Sequence, residues 1–200
     1  MRCGAVPGVS VNETEQSAGG GAAGSQVREL ILAGGCFWCL DAVYRRVRGV
    51  LEVVSGYTGG SVADPGYEAV CSGTTGHAEA VLVRYDAAVV PEEVLLQIFF
   101  TAHDPTSLNR QGHDVGTQYR SAMFHRDGHE RARFAAAIER AQELYRRPIV
   151  TTLEPAGPFY PAEAVHQGFY DAQPSNGYCR VVIDPKIAKA REHYAMWLER

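Results

Sequence analysis

Two cysteines stand three positions apart at the sharpest boundary in the chain. The segment Gly34-Gly35-Cys36-Phe37-Trp38-Cys39 follows a strand-like run and opens a helical pattern. A thiol at a helix N-terminus feels the positive end of the dipole and free backbone N–H groups. Both favour thiolate, the nucleophilic form, and predict a Cys36 pKa below about 8.5. Two preceding glycines let the backbone turn sharply and leave the sulfur uncovered. The plain alternative is a buried structural thiol. Phe37 and Trp38 carry their own alternative, since apolar residues opening an amphipathic helix are usually core.

A second candidate is Gly73-Thr74-Thr75-Gly76-His77-Ala78-Glu79. Glu79 falls in register with Val81 and Val83 on the apolar face of a strand. A carboxyl there is either paired with a base or kept protonated by desolvation. In the protonated form it can donate a proton to an oxygen; the bland alternative is a salt-bridge partner. His77 reads as a structural hydrogen bonder rather than a catalytic base. The third candidate runs from His103-Asp104-Pro105-Thr106 through Arg110 to Ser121. Such a polar, glycine-bearing loop can present several donors to one pocket, or be a solvated loop bonded to itself.

These residues need a scaffold, and the 200-residue chain is long enough to supply one sizeable core. At 46% hydrophobic and 21% charged residues the composition is that of a globular protein. A net charge of -4 gives no general reason to expect nucleic acid or an anionic membrane as partner. No apolar run is long enough to span a bilayer. The N-terminus lacks the apolar core of a signal peptide, which places the chain in the cytoplasm. There, its five cysteines are expected to be reduced, with Cys71 packed as a small apolar group and Cys3 inert.

Residues 1–26 lack any hydrophobic period and read as a disordered arm. One catalytic domain is expected over residues 27–200. It starts with a strand from Val27 to Ala33, a helix from Cys36 that Gly49 ends, and a strand from Val50 to Tyr57. A loop from Thr58 to Gly76 leads to a strand from His77 to Tyr85. A helix from Pro91 to His103 and the loop Asp104 to Thr117 precede a strand from Gln118 to His125. An amphipathic helix from Gly128 to Arg147 turns Phe134, Ile138, Ala141 and Tyr145 inward. Then come a strand from Ile149 to Leu153, a short helix ending near Phe169, a strand from Arg180 to Ile183, and a helix from Pro185 to Leu198. Strands and helices mix without strict alternation, and no G-x-G-x-x-G follows a strand. The expected fold is therefore α+β, a two-layer sandwich of mixed sheet and helices with long functional loops.

Taken together, GGCFWC, GYTGG at 56–60, GYEAVCSGTTGHAEAV at 66–81 and HDPTSLNRQGHDVGTQYRS at 103–121 resemble the A-type peptide methionine sulfoxide reductases. The motifs occur in the family's order and spacing, and the resemblance runs from about Val27 to the C-terminal helix. It implies thiol-dependent reduction of methionine S-sulfoxide, free or in proteins, as repair after oxidative stress. Cys36 matches the cysteine that attacks the sulfoxide sulfur and becomes a sulfenic acid. Phe37 and Trp38 match aromatics that cradle the substrate's methyl group. Glu79 matches the carboxyl that protonates the sulfoxide oxygen, Tyr67 and Tyr119 two hydroxyl donors to it, and Asp114 a carboxylate that holds the polar network. No metal or other cofactor is implied.

Two positions depart from the family pattern: Cys39 stands where the best-known members have glycine, and His113 where many have asparagine. A second thiol must capture the sulfenic acid. Cys39 can be bridged to Cys36 with little backbone movement. Cys179, in Asn176-Gly177-Tyr178-Cys179, resembles the family's C-terminal recycling cysteine but precedes a strand-like Val181-Val182-Ile183. Cys39 is therefore favoured, with a dithiol such as thioredoxin reducing the bridge. Two other readings stay open: a thioredoxin-like disulfide oxidoreductase built on Cys36-x-x-Cys39, and a structural zinc module of Cys36, Cys39, Cys71 and His77.

Overall fold

The computed structural model describes residues 26–198. The expected arm, apart from Gln26, lies outside the described residues, as does Cys3. In chain order the elements begin β1 (Val27–Gly34), α1 (Phe37–Tyr44), β2 (Val50–Thr58), α2 (Tyr67–Cys71), β3 (Ala78–Asp86) and α3 (Glu92–Ala102). A small hairpin of β4 (Arg110–Gln111) and β5 (Asp114–Val115) is followed by β6 (Ser121–His125), α4 (Gly128–Gln142), β7 (Thr152–Pro155) and β8 (Tyr160–Pro161). The chain then forms α5 (Phe169–Ala172), a π-helical turn (Cys179–Ile183) and α6 (Asp184–Tyr194).

The six long-sheet strands lie in the order β7-β6-β1-β3-β2-β8. The pairs of β1 with β3 and β6, and of β2 with β3 and β8, are antiparallel, while β6 and β7 run parallel. This is the mixed sheet of an α+β fold. Strand alternation gives the sheet two different faces. Val81, Val83 and Tyr85 of β3, with Leu30 and Leu32 of β1, join the main core with α1 and α3. Ala78, Ala80, Ile31, Ala33, Ala122 and Phe124 point the other way, where Ala156 and Phe159 pack on them. The helices thus cover the face on which Glu79 was expected.

Several boundaries differ from expectation. Part of the 58–76 loop is helical, as α2. The strand expected from Gln118 starts only at Ser121, because Thr117–Tyr119 forms a 3-10 turn after the extended, glycine-only conformation of Gly116 (φ 147°). The long helix stops at Gln142, five residues early, and its side chain takes over the chain reversal: its amide donates to the carbonyls of Tyr145 and Arg147 and accepts from the Ile149 N–H. The strand expected over 149–153 is shifted to Thr152–Pro155, and Phe169 begins a short helix instead of ending one.

The largest correction is at 179–183. The β-branched triplet predicts a strand, but these residues are a helical turn running into α6. Cys179, Ile183, Ile187 and Ala190 are buried, while Val181 is exposed. Spacings of three and four make one buried helical face, and tertiary burial outweighs the weak β preference of three residues.

Candidate functional site

The turn between β1 and α1 is built by Gly35, at φ +88°, where a Cβ would also overlap the Gln111 side chain. Only glycine combines that backbone angle with so close an approach. The turn delivers Cys36 to the N-cap of α1, with 7% of its surface exposed, whereas Cys39 is fully buried. All four described cysteines are unbridged.

Glu79, 1% exposed on β3, is carried to the same helix end by the antiparallel sheet. Its Oε2 accepts the Phe37 N–H at 3.0 Å. The donor expected to serve a Cys36 thiolate therefore serves this carboxyl. Burial pushes Glu79 up to about 8 against that hydrogen bond, with the Asp114 carboxylate adding to the rise. At pH 7 its neutral form dominates by roughly ten to one.

The expected low pKa of Cys36 is overturned. Burial first, then its hydrogen bond to Cys39 and the nearby Glu79, hold this thiol well above its ordinary value. Its partner behaves oppositely: Cys39 is lowered to about 6, mainly because it accepts the Cys36 hydrogen bond, with Lys186 and Tyr178 assisting against burial. The two thiols titrate as a coupled pair, Cys39 being the more acidic.

Tyr67, at the start of α2, and Tyr119, in the 3-10 turn, flank Glu79. Burial pushes both phenols well above their usual value, and Glu79 adds to the rise in each; they are donors at any ordinary pH. Cys71 is half-buried, less covered than the packed apolar thiol expected. Asp114 accepts the Tyr178 hydroxyl at 2.8 Å, and that hydroxyl lies 4.0 Å from the Cys39 sulfur.

The aromatic side contains more than the two residues expected. Phe37 is fully buried and packs on Tyr57 and His166, with centroids 5.8 and 5.5 Å away. Trp38 stacks on Phe169 at 3.8 Å and 6°, and meets Tyr178 edge-on. His166 lies 4.4 Å from the Tyr67 ring, and burial lowers its pKa, leaving a neutral face. Sequence reasoning missed His166 and Phe169. They arrive only because β8 pairs with the edge of β2, and because Glu163 clamps both sides, accepting from the Tyr57 hydroxyl and the Tyr67 N–H. His113, where many family members have asparagine, lines a neighbouring cavity with Asp114 and Tyr178.

His77 is structural, as expected: its ring bonds the Gly60 N–H and the Val62 carbonyl. Among the described residues no three His, Cys, Asp or Glu side chains are grouped so as to hold a metal ion, which removes the basis of the zinc-module reading.

A cysteine at a helix end, beside a buried carboxyl and two phenols, is the arrangement the four motifs imply. Residues 28–197 match the model of the peptide methionine sulfoxide reductase family. The chain belongs to that family. A relative from Paenarthrobacter aurescens (strain TC1), peptide methionine sulfoxide reductase MsrA, is 59% identical over 172 residues, 86% of this chain and 99% of its own. Mxr1 from Saccharomyces cerevisiae, solved in reduced form, superposes with a TM-score of 0.73 at 34% identity, over 76% of this chain and 89% of that one. The same protein, solved in complex with Trx2, matches at a TM-score of 0.50 and 26% identity, covering 72% and 84% of the two chains. Within the family, this site pairs its helix-end cysteine with a second one, Cys39, one turn along α1.

Proposed function

We propose that this chain reduces methionine S-sulfoxide to methionine, with residues 27–200 as one catalytic domain and Cys36 as nucleophile. The observation that carries the reading is the buried Glu79 carboxyl, held neutral by its surroundings next to the Cys36 sulfur. Attack at a sulfoxide sulfur is opposed by charge building on oxygen. Glu79 supplies a proton there, and Tyr67 and Tyr119 supply hydrogen bonds. As Cys36 attacks, its proton passes toward Cys39, the more acidic thiol of the pair, one turn along α1. An S–S bond forms between Cys36 and the substrate; it breaks again as the protonated oxygen passes from the substrate sulfur to the Cys36 sulfur, so methionine leaves and Cys36 becomes a sulfenic acid. Trp38, Phe37, His166 and Phe169 form the apolar side that takes the substrate methyl, while Asp114 fixes Tyr178 between the two halves.

Cys39 then resolves the sulfenic acid, since it lies one turn along α1 from Cys36, whereas Cys179 is buried in a helical turn that continues into α6. A thioredoxin-type dithiol reopens the bridge, a role supported by the Mxr1 complex with Trx2. We place this chemistry in the cytoplasm, where such dithiols are kept reduced. No helix among the described residues is long and apolar enough to cross a membrane.

The test is turnover of separated S and R epimers with dithiothreitol. One apolar wall and one donor cluster accept a single hand at sulfur, so the S epimer is expected to react and the R epimer hardly at all. Equal rates would defeat the assignment, and reduction of insulin disulfides without sulfoxide turnover would favour the disulfide oxidoreductase.

Glu79→Gln is expected to slow single-turnover methionine release by roughly ten- to a thousandfold, at the lower end of or below general-acid contributions of about 10² to 10⁴. The pH profile gives a second readout. The acid form of Glu79 is required and persists below about 8, so the wild-type rate should fall as pH rises through that value. The Gln variant should lose this limb. An unchanged rate in the variant would strip Glu79 of its role.

A further inference from the structure

The end of α3, the segment after α4 and the first turns of α6 line one open cleft of about 580 Å³. Its charged residues are Arg146, Arg147, Lys186 and Lys189, against the single carboxylate of Asp104. That carboxylate is already engaged: Oδ1 accepts the Thr106 N–H and hydroxyl, and Oδ2 accepts from Arg147 at 2.8 Å. Arg146, Lys186 and Lys189 form no ion pair among the described residues. His103, also on the wall, is held neutral by burial, its pKa lowered to about 4. Three positive charges are thus left uncompensated, in a chain whose net charge is -4. The cleft adjoins the site. Gln111 and Lys186 line it and also a cavity of about 320 Å³ bounded by Asp114 and Tyr178. Tyr178 donates to Asp114 and meets the Trp38 ring edge-on, and Gln111 packs on the Gly35 turn that carries Cys36.

With methionine S-sulfoxide as substrate, the reading on which this rests, we propose that the cleft takes acidic side chains of the polypeptide that bears the sulfoxide. Methionine sulfoxide flanked by Asp or Glu is then the favoured protein-bound substrate. A chain with its sulfoxide against Trp38 has a continuous path over Tyr178 and Gln111 to the cations. Arg146 and Lys189 are exposed and come from separate segments. They build no enclosed cage for a small anion, whereas an extended chain can lay successive carboxylates along both. Each such exposed pair contributes little, but several together steer and hold an acidic chain. The cations touch none of the reacting atoms, so they act equally on bound substrate and transition state. KM falls and kcat stays.

The probes are peptides that hold one methionine S-sulfoxide, with a run of glutamates on its N-terminal or its C-terminal side. Matched peptides carry glutamine or lysine instead. With dithiothreitol as reductant at about 0.02 M salt, kcat/KM for one glutamate placement should exceed that of its glutamine match by about tenfold, through KM. At about 0.5 M salt the advantage should shrink to less than about twofold. The lysine peptide should fall below the glutamine one. The double variant Arg146→Glu/Lys189→Glu should lose the preference, while its turnover of the glutamine peptides stays at the wild-type level. Equal kcat/KM for glutamate and glutamine peptides at low salt overturns the proposal, as does a preference that survives in the double variant or in high salt. If wild type reduces no glutamine peptide, the reaction itself is misassigned, and the subsite falls with it.

Discussion

Cys36→Ser is expected to abolish methionine sulfoxide reduction, by at least about 10⁴-fold, with dithiothreitol as well as with thioredoxin. Serine is nearly isosteric, so the turn at Gly35 and the packing of α1 should survive, and the loss reports chemistry. A hydroxyl lacks the nucleophilicity of sulfur. Its proton is also held far too tightly to pass to the Cys39 sulfur, which is poised near 6. Cys39 is a poor replacement although it is the more acidic of the two thiols. It is fully buried beneath Cys36, and Glu79, which accepts from the N–H of Phe37, is placed at the helix end and not one turn deeper. The measurement is methionine released per enzyme in a single turnover. Substantial release from the serine variant would move the nucleophile to Cys39.

The oxygen side of this site was legible in the sequence because it depends on local rules. The alternation Glu79-x-Val81-x-Val83 places a carboxyl on a core face, and the fold realises that face. Gly34-Gly35 before an amphipathic run marks the turn that brings Cys36 to the helix end, where its sulfur is buried and not uncovered as expected. The electrostatics of Cys36 were not legible, because they are set across the fold. A helix N-terminus offers donors, but only three-dimensional pairing shows that the Phe37 N–H is taken by Glu79, while burial raises Cys36 and leaves Cys39 the more acidic thiol. The aromatic wall was half legible. Trp38 is in the motif, whereas His166 and Phe169 reach it through a two-residue strand whose pairing no local pattern announces. At 179–183 the local signal pointed the wrong way. Val181-Val182-Ile183 favours strand by intrinsic preference, and the helical face of Cys179, Ile183 and Ile187 becomes visible only once α1 and α3 exist to bury it.

That correction bears on the expected behaviour of Cys39→Ser. The sequence case against Cys179 was that it preceded a strand; the structural case is that Cys179 is fully buried in a helical turn continuous with α6. To bridge to Cys36 it would have to leave that turn and displace Tyr178 from Asp114 and from the edge of Trp38. Cys39 needs no such rearrangement, lying one turn along α1 with its N–H on the Cys36 carbonyl. With thioredoxin as sole reductant, Cys39→Ser is therefore expected to release about one methionine per enzyme and stop, because the sulfenic acid has no internal partner. With dithiothreitol, which attacks the sulfenic acid directly, turnover should continue. Its first step should be slowed as well, since serine cannot take up the Cys36 proton as the Cys39 thiolate does. Cys179→Ser should behave nearly as wild type under both conditions. Peptide mapping after one turnover provides the decisive readout: a Cys36–Cys39 bridge as the first disulfide is expected, and a Cys36–Cys179 bridge appearing first would show that the C-terminal turn opens and that Cys179 is the resolving thiol.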